Sequence, residues 1–80
     1  MDETDLRWMA EALEEARRAA ASGEVPVGAV VVARDAVIGR GHNRREVDGD
    51  PLAHAELLAI AEAARGIGGW RLEGCTMYVT

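Results

Sequence analysis

A run of β-branched residues in the first half of the chain constrains its fold most strongly. Residues 25–32 read Val-Pro-Val-Gly-Ala-Val-Val-Val and carry no charge. Such a run is typical of a strand that is buried on both faces of a sheet. Pro26 is expected at the start of this strand, where its missing N–H does not interrupt the ladder. The run therefore predicts an α/β protein with helices covering the sheet.

Residues 2–22 are predicted to form an amphipathic helix in front of this strand. Asp2, Thr4 or Asp5 is the expected N-cap, and Ser22-Gly23 ends the helix because glycine readily takes the left-handed conformation. Trp8 is expected in the core. The apolar residues at helical spacing predict the face that packs on the sheet: Leu6, Met9, Ala10, Leu13, Ala16 and Ala20.

Two more strands and a second helix are predicted after the buried run. A tight turn at 33–35 leads into an antiparallel strand at 36–43, and a charged loop follows. Residues 51–65 read as a helix, which a group of glycines stops. Residues 75–80 predict a third strand at the end of the chain. The order α-β-β-α-β is expected for the first half of a larger α/β layer.

Size and composition exclude several classes of protein. Eighty residues form one small domain that buries about two-thirds or less of its unfolded surface. No apolar run approaches the roughly 20 residues of a membrane span, and no signal peptide is visible. The single Cys75 excludes an internal disulfide and favours a cytoplasmic location. The net charge of −5 argues against a general nucleic-acid coat protein.

A local basic cluster nevertheless lies before the second helix. Arg40, His42, Arg44 and Arg45 form it. It fits either a solvated loop or a phosphate contact beside a pocket.

The start of the second helix carries the residues best suited to chemistry. Asp50 is the expected N-cap and Pro51 the first helical residue. His54 and Glu56 then fall in the first turn, where free N–H groups stabilise negative charge. Two residues at this spacing differ by about 200° around an ideal helix. They therefore converge only around an object placed at the helix end.

Each of these candidate residues also has a purely structural explanation. His54 suits zinc, but a histidine at a helix start is also a common cap or surface residue. Glu56 suits proton transfer, but a glutamate in the first turn also complements the helix dipole. Asn43 can read the edge of a heteroaromatic base, or it can be a turn residue. Gly28 indicates a close approach to the strand, either by a helix or by the base of a ligand.

Four sequence blocks together resemble the cytidine and deoxycytidylate deaminase superfamily, most closely its bacterial tRNA adenosine deaminases. They are Glu-Val-Pro-Val-Gly-Ala-Val at 24–30, Val-Ile-Gly with Gly-His-Asn-Arg within 37–44, Asp-Pro-Leu-Ala-His-Ala-Glu at 50–56 and Thr-Met-Tyr-Val-Thr at 76–80. The resemblance covers nearly the whole chain. It implies the first half of a three-layer, cytidine-deaminase-like α/β fold with a central mixed sheet.

The resemblance also implies a site and a reaction. In the family, one His and two Cys hold zinc, a water in the fourth position attacks the carbon that bears the amine, and a glutamate shuttles protons. His54 is then the zinc ligand and Glu56 the proton shuttle. The remaining residues implied at the site contact the substrate: Asn43 at the base edge, Val27 and Gly28 along the base, the Ala55 backbone at the ring or the attacking water, and Arg44 at phosphates.

The sequence departs from the family at one point. The Pro-Cys-x-x-Cys segment that supplies two zinc ligands is absent, and Cys75 is a poor substitute because it precedes the matching Thr-Met-Tyr-Val-Thr block at 76–80. Residues 1–80 are therefore expected to be the N-terminal part of one deaminase domain, truncated before that segment and inactive alone. We expect a homodimer or a complementing second half as partner.

Three functions remain open from the sequence. The resemblance favours zinc-dependent conversion of adenosine to inosine at the wobble position of the tRNA anticodon arm. The alternatives are a deaminase of free guanine, cytosine or their nucleosides, and a non-catalytic half-domain that pairs with another chain through an open strand edge.

Overall fold

The computed structural model describes all residues, 1–80, and contains three helices and three strands. Both strand pairings, β1 with β2 and β1 with β3, are antiparallel, and the sheet order is β2-β1-β3. A parallel pairing for the expected mixed sheet requires a further strand. The predicted α-β-β-α-β order is confirmed, with one short helix added. The elements are α1 (Glu3–Ala21), β1 (Gly28–Ala33), β2 (Ala36–His42), α2 (Arg45–Asp48), α3 (Ala55–Ile67) and β3 (Thr76–Val79).

The central strand β1 is buried on both faces, as its sequence predicts. Val30 and Val32 pack on the α1 side of the sheet. Ala29 and Val31 pack on the α3 side, because successive side chains of a strand point to opposite faces. The chain is therefore three layers deep. The helix residues in the two clusters are nearly all alanine: Trp8 and Ala12 from α1, and Ala55, Ala59 and Ala63 from α3.

Helix α1 has the predicted ends but not the predicted face. Asp2 is its N-cap and accepts a hydrogen bond from the Asp5 N–H at 2.8 Å. Trp8 and Ala16 are buried as expected, but Leu6 and Leu13 of the predicted core face are 57% and 46% exposed. The alanine face is buried instead. The cause lies in β1, where Gly28 has no side chain to keep the helix away.

The contact at Gly28 brings the backbone of α1 onto the sheet. A Cβ placed on Gly28 would lie 2.1 Å from the Ala12 carbonyl oxygen and 2.4 Å from the Ala16 nitrogen. Only small residues permit so close a packing, which explains why the leucines turn outward. Gly28 had two explanations, a close approach by a helix or by the base of a ligand, and the structure supports the helix.

The hairpin turn forms as predicted, whereas β1 starts later than predicted. Arg34 and Asp35 both have positive φ, at 52° and 60°. Ala33 pairs with Ala36, so these two residues form the whole loop, in the conformation of a type I′ turn. The strand begins at Gly28, so Val25 and Pro26 precede it.

The predicted start of the second helix at Pro51 is wrong, because α3 begins at Ala55. Asp50 is not its cap; the Asp50 carboxylate accepts a hydrogen bond from the Leu52 N–H at 2.9 Å within a turn. At the other end α3 reaches Ile67, and Gly68 follows in the left-handed conformation at φ 84°.

The charged loop before α3 contains a helix that the sequence did not indicate. Helix α2 receives its cap from a distant residue, Glu24, which is itself buried. The Glu24 carboxylate accepts hydrogen bonds from the backbone N–H groups of Glu46 and Val47, at 3.3 and 2.7 Å.

No helix of the chain, α1 included, combines the length and apolarity that crossing a membrane requires.

Candidate functional site at one end of the sheet

One end of the sheet gathers the residues that the sequence singles out. There, Gly28 at the start of β1 pairs with His42 at the end of β2. On the other side of β1, the Thr80 N–H donates to the Gly28 carbonyl and the Gly28 N–H donates to Thr80 Oγ1, both at 3.0 Å. Asn43 joins this end to the start of α3. The site is therefore built from β1, β2 and the helix start.

Asn43 connects three segments at this end. Its backbone N–H donates to the Val27 carbonyl at 3.2 Å, and its side-chain Oδ1 accepts from the Ala55 N–H at 2.9 Å. The residue is 6% exposed, so it is a buried tie rather than a surface turn. Its side-chain NH2 makes no hydrogen bond within the chain. Asn43 thus caps α3 with its oxygen, and its NH2 group stays unpaired.

His54 lies immediately outside α3, as its N-cap, with extended backbone angles (φ −86°, ψ 145°). The angular separation expected on an ideal helix therefore does not apply to His54 and Glu56. Glu56 is the second helical residue, and both side chains are half-buried. Neither side chain is hydrogen bonded within the chain. Both polar groups thus stay available at a helix start where the Glu56 and Leu57 N–H groups are also unpaired.

The other residues predicted to contact the substrate are partly engaged elsewhere. Val27 packs against the cluster on the α3 side, of which Ala55 is a member. The Ala55 N–H is bonded to Asn43 in this structure, and a contact of the Ala55 backbone with the ring or the attacking water stays a prediction. Gly28 is explained by the contact with α1, and its contact with a base stays a prediction.

The basic cluster is largely paired with carboxylates. The Arg44 guanidinium bonds Asp48 through two nitrogens at 3.0 Å, and this hydrogen-bonded pair raises the pKa of Arg44 and lowers that of Asp48. Arg40 and His42 both bond Glu15 at 2.9 Å. A phosphate contact by Arg44 stays a prediction that requires the phosphate to compete with Asp48.

Glu15 is the residue at this end that sequence reasoning missed. It lies on the alanine face of α1, and its side chain is only 3% exposed. Burial raises the pKa of Glu15, but hydrogen bonds from His42 and Arg40 outweigh it, so the pKa lies below its usual value. Its position three residues after Ala12, on the alanine face of α1, was the sequence signal that could have indicated its burial.

The donor set at this end fits one zinc ligand but not a complete site. No group of three His, Cys, Asp or Glu side chains in the chain is placed to hold a metal ion. Cys75 precedes Thr76, which pairs with Val32 four residues along β1 from Gly28. At about 3.3 Å per residue this places Thr76 roughly 13 Å from the His54 end of the sheet and Cys75 roughly 17 Å from it. The prediction that Cys75 is a poor substitute ligand agrees with this register.

The two cavities of the chain lie away from His54 and Glu56. The larger, about 580 Å³, lies near the hairpin turn and is lined by Arg34, Ile38 and Arg71 among others. The smaller, about 260 Å³, lies between α1, β2 and α3, and Glu15 and His42 line it. The candidate site is thus an open surface at the sheet end rather than a closed pocket.

The arrangement of these residues defines a class of protein. A histidine, one intervening residue and a glutamate at the start of a helix packed on a sheet are the H-x-E half of the zinc-dependent deaminase signature. Residues 2–80 match the family described as the cytidine and deoxycytidylate deaminase zinc-binding region. The chain belongs to this family.

Two curated relatives are similar to this chain over most of its length. The tRNA-specific adenosine deaminase of Bacillus subtilis is 51% identical over 76 residues, which are 95% of this chain and 47% of that protein. The tRNA-specific adenosine deaminase of Aquifex aeolicus is 54% identical over 69 residues, which are 86% of this chain and 46% of that protein. The chain thus spans about half the length of these curated relatives.

Two solved structures match the fold closely. One comes from work on A-to-I editing by tRNA:A34 deaminases at the wobble position; its TM-score is 0.89 at 44% identity, over 94% of this chain and 58% of that one. The other is a guanine deaminase from Bacillus subtilis, with a TM-score of 0.88 at 32% identity, over 99% of this chain and 50% of that one. The similarity of fold confirms the expected cytidine-deaminase-like α/β fold.

Proposed function

We propose that this chain supplies the histidine ligand, the proton-transferring glutamate and the base-binding asparagine of a zinc-dependent adenosine deaminase that acts on tRNA. The observation that carries the proposal is the convergence of His54, Glu56 and Asn43 at one end of the sheet. The identity of about half to relatives named as tRNA-specific adenosine deaminases supports the choice of substrate.

His54 is the zinc ligand in this proposal, because its imidazole is free of other partners and fixed at a helix start. Zinc, when bound, supplies the Lewis acidity that activates water at neutral pH. Two further ligands come from a Pro-Cys-x-x-Cys segment outside residues 1–80, in a domain of which this chain is the N-terminal part. Thr80 lies at the same end of the sheet as His54, so a segment continuing from Thr80 would begin beside the site.

Glu56 moves the protons of the reaction. Its carboxylate accepts a proton from the attacking water and delivers it to the departing amine. Water adds at the carbon that bears the amine, the carbon–nitrogen bond breaks, and adenosine plus water becomes inosine plus ammonia. The free N–H groups of Glu56 and Leu57 favour negative charge close to this carboxylate.

Asn43 orients the base. Its oxygen is held by the Ala55 N–H, so the amide plane is fixed and the NH2 group is presented as a donor to an acceptor on the ring edge. Val27 adds an apolar surface on the same side of the sheet. Gly28 and the Ala55 backbone line the base, and Arg44 contacts a phosphate of the RNA.

The macromolecular partners belong to the same proposal. The RNA is the anticodon arm of a tRNA, whose unpaired base is turned out into the site. The outer edge of β3 is free for pairing, which suits a complementing second half of the same fold, and the complete protein is a homodimer. A cytoplasmic location follows from this substrate and the lone Cys75.

A deaminase of free guanine is the second candidate function. The solved guanine deaminase has a TM-score of 0.88, against 0.89 for the structure from the tRNA:A34 work, so the fold alone does not separate the two. Ammonia release from guanine with none from an anticodon stem-loop would select this alternative.

The test uses the chain joined to a segment that contains Pro-Cys-x-x-Cys, an anticodon stem-loop RNA as substrate and inosine as product. Glu56→Gln is expected to lower the rate about 100-fold or more, because proton transfer contributes roughly 10²–10⁴. Zinc content should stay unchanged. Glu46→Gln, the same change on the exposed helix α2, is the control and should keep full activity. An active Glu56→Gln variant would refute the assigned role.

A further inference from the structure

The carboxylate of Glu15 is buried among groups from two elements. It accepts hydrogen bonds from Arg18 of its own helix at 3.2 Å and from Arg40 of β2 at 2.9 Å. Its other oxygen bonds His42 Nδ1 at 2.9 Å. Burying a charge in this way is costly unless its hydrogen bonds are met, and removing one partner then leaves the rest uncompensated. The position of His42 is therefore coupled to that of Glu15.

Glu15 reaches across β1 on the α1 side of the sheet, to Arg40 and His42 of β2. Its Cβ would lie 2.8 Å from a Cβ on Gly28, and Gly28 pairs with His42 on the edge strand. The missing side chain at Gly28 lets the carboxylate reach over β1 to the end of β2. Helix α1 is thus joined to the edge strand at the residue before Asn43.

The same connection continues to the candidate site. Asn43 follows His42 directly, and its Oδ1 holds the Ala55 N–H at the start of α3. The next residue, Arg44, donates its backbone N–H to the Ala53 carbonyl at 2.9 Å. These two bonds hold Ala53 and Ala55, the residues on either side of His54 in the sequence. A displacement of His42 is therefore passed to the segment that carries the proposed zinc ligand.

We propose that Glu15 is a positioning residue: through His42 it holds Asn43 where the amide both caps α3 and faces the substrate. Glu15 does not touch the substrate, since it lies on the α1 side of the sheet and Ala55 lies on the other. Its effect on catalysis rests on the proposed function. Its effect on Asn43 is a property of residues 1–80 alone.

The test measures amide hydrogen exchange by NMR at Ala55 and at Val31. Val31 lies in the core of β1 and reports the stability of the fold. Glu15→Gln keeps the shape but removes the charge, and Ala55 exchange is expected to rise about tenfold relative to Val31, the scale of a lost helix cap. Glu11→Gln is the matched control: Glu11 also bonds Arg40, at 3.4 Å, but does not contact His42. It should leave the ratio unchanged.

A second variant shows whether the effect passes through His42. In a double-mutant cycle, Glu15→Gln combined with His42→Gln should speed Ala55 exchange no more than His42→Gln alone, because both changes break one connection. Additive effects, or equal acceleration at Ala55 and Val31, would overturn the proposal and leave Glu15 as a stabilising residue only. If Glu15→Gln fails to fold, His42→Gln alone supplies the same comparison of Ala55 with Val31.

Deaminase kinetics separate this proposal from the proposed function. In the active protein, Glu15→Gln should raise KM for the RNA more than it lowers kcat, because Asn43 contacts the base rather than the transferred protons. A protein without deaminase activity whose Ala55 exchange still responds to Glu15→Gln supports the positioning role and contradicts the proposed function. An active protein whose Ala55 exchange does not respond contradicts the positioning role only.

Discussion

Replacing Gly28 with alanine tests the close packing of α1 on the sheet. The added Cβ would lie 2.1 Å from the Ala12 carbonyl oxygen, against an ordinary contact of 3.4 Å or more. The obstructing atom belongs to the helix backbone, so no side-chain rotation relieves the contact and α1 must withdraw by about 1 Å. A gap of that size loses roughly a quarter to a half of the dispersion energy between the helix and strand residues of the cluster formed by Trp8, Ala12, Val30 and Val32.

The expected loss of stability is large for a chain of this size. Overpacking typically costs 1–3 kcal/mol, and we expect about 3 kcal/mol here because the obstruction is backbone. Eighty residues at about 0.05–0.15 kcal/mol each give a total free energy of unfolding of roughly 4–12 kcal/mol. With a urea dependence of about 1 kcal/mol/M, the midpoint should fall by about 3 M.

Urea unfolding followed by Trp8 fluorescence measures this loss. A Trp70→Phe background removes the second tryptophan, which is 81% exposed and reports little of the core. Gly66→Ala is the matched control, because a Cβ there meets nothing nearer than the Ile38 carbonyl at 4.0 Å. Gly66 lies inside α3, so this change should stabilise the protein by about 0.5–1 kcal/mol.

The two glycines are therefore expected to respond with opposite signs. If Gly28→Ala lowered the free energy of unfolding by less than about 1 kcal/mol, the packing explanation for Gly28 and for the outward leucines of α1 would be wrong.

Two further predictions concern single hydrogen bonds. Asn43→Ala removes the acceptor that holds the Ala55 N–H and should destabilise the protein by about 1 kcal/mol in urea unfolding, whereas Asn43→Asp keeps the oxygen and should do less harm; equal stability of the two variants would contradict the cap. The hydrogen bond from Tyr78 to Asp5, at 2.7 Å, raises the pKa of this single tyrosine to about 12. The stability from that bond is present below pH 10 and lost as the pH rises towards 12. Ultraviolet titration of the phenolate should show the high midpoint, and Asp5→Asn should lower it; a midpoint at the ordinary value in the unchanged protein would contradict the bond.

Most elements follow from local sequence, because their signals are local. The structure confirms three signals that act within a few residues: Asp2, one of the three N-cap candidates, Gly23 after α1, and the turn at 33–35. Helix α3 instead passes through Gly66 and ends at Ile67, before Gly68. The buried strand also follows, since its composition permits little else. The family resemblance then places His54, Glu56 and Asn43 at one end of the sheet.

The helix predictions are wrong where a residue distant in sequence supplies the capping hydrogen bond. Helix α3 starts at Ala55 rather than Pro51 because its cap comes from Asn43, twelve residues earlier. Helix α2 escaped prediction because its cap comes from Glu24, more than twenty residues earlier. Periodicity alone predicted the wrong buried face for α1, because Gly28, which lies on β1, determines which face packs on the sheet.

The distant pairing of β3 also sets an order of folding. The β1–β2 hairpin closes through a two-residue turn, an event of microseconds. The bond between Gly28 and Thr80 joins residues 52 apart, and the entropy of loop closure must be met before it forms. We therefore expect β3 to dock last. Until it does, Val30, Val31 and Val32 present an unpaired, apolar strand edge, and this is the stage at which newly made chains are most prone to associate with one another.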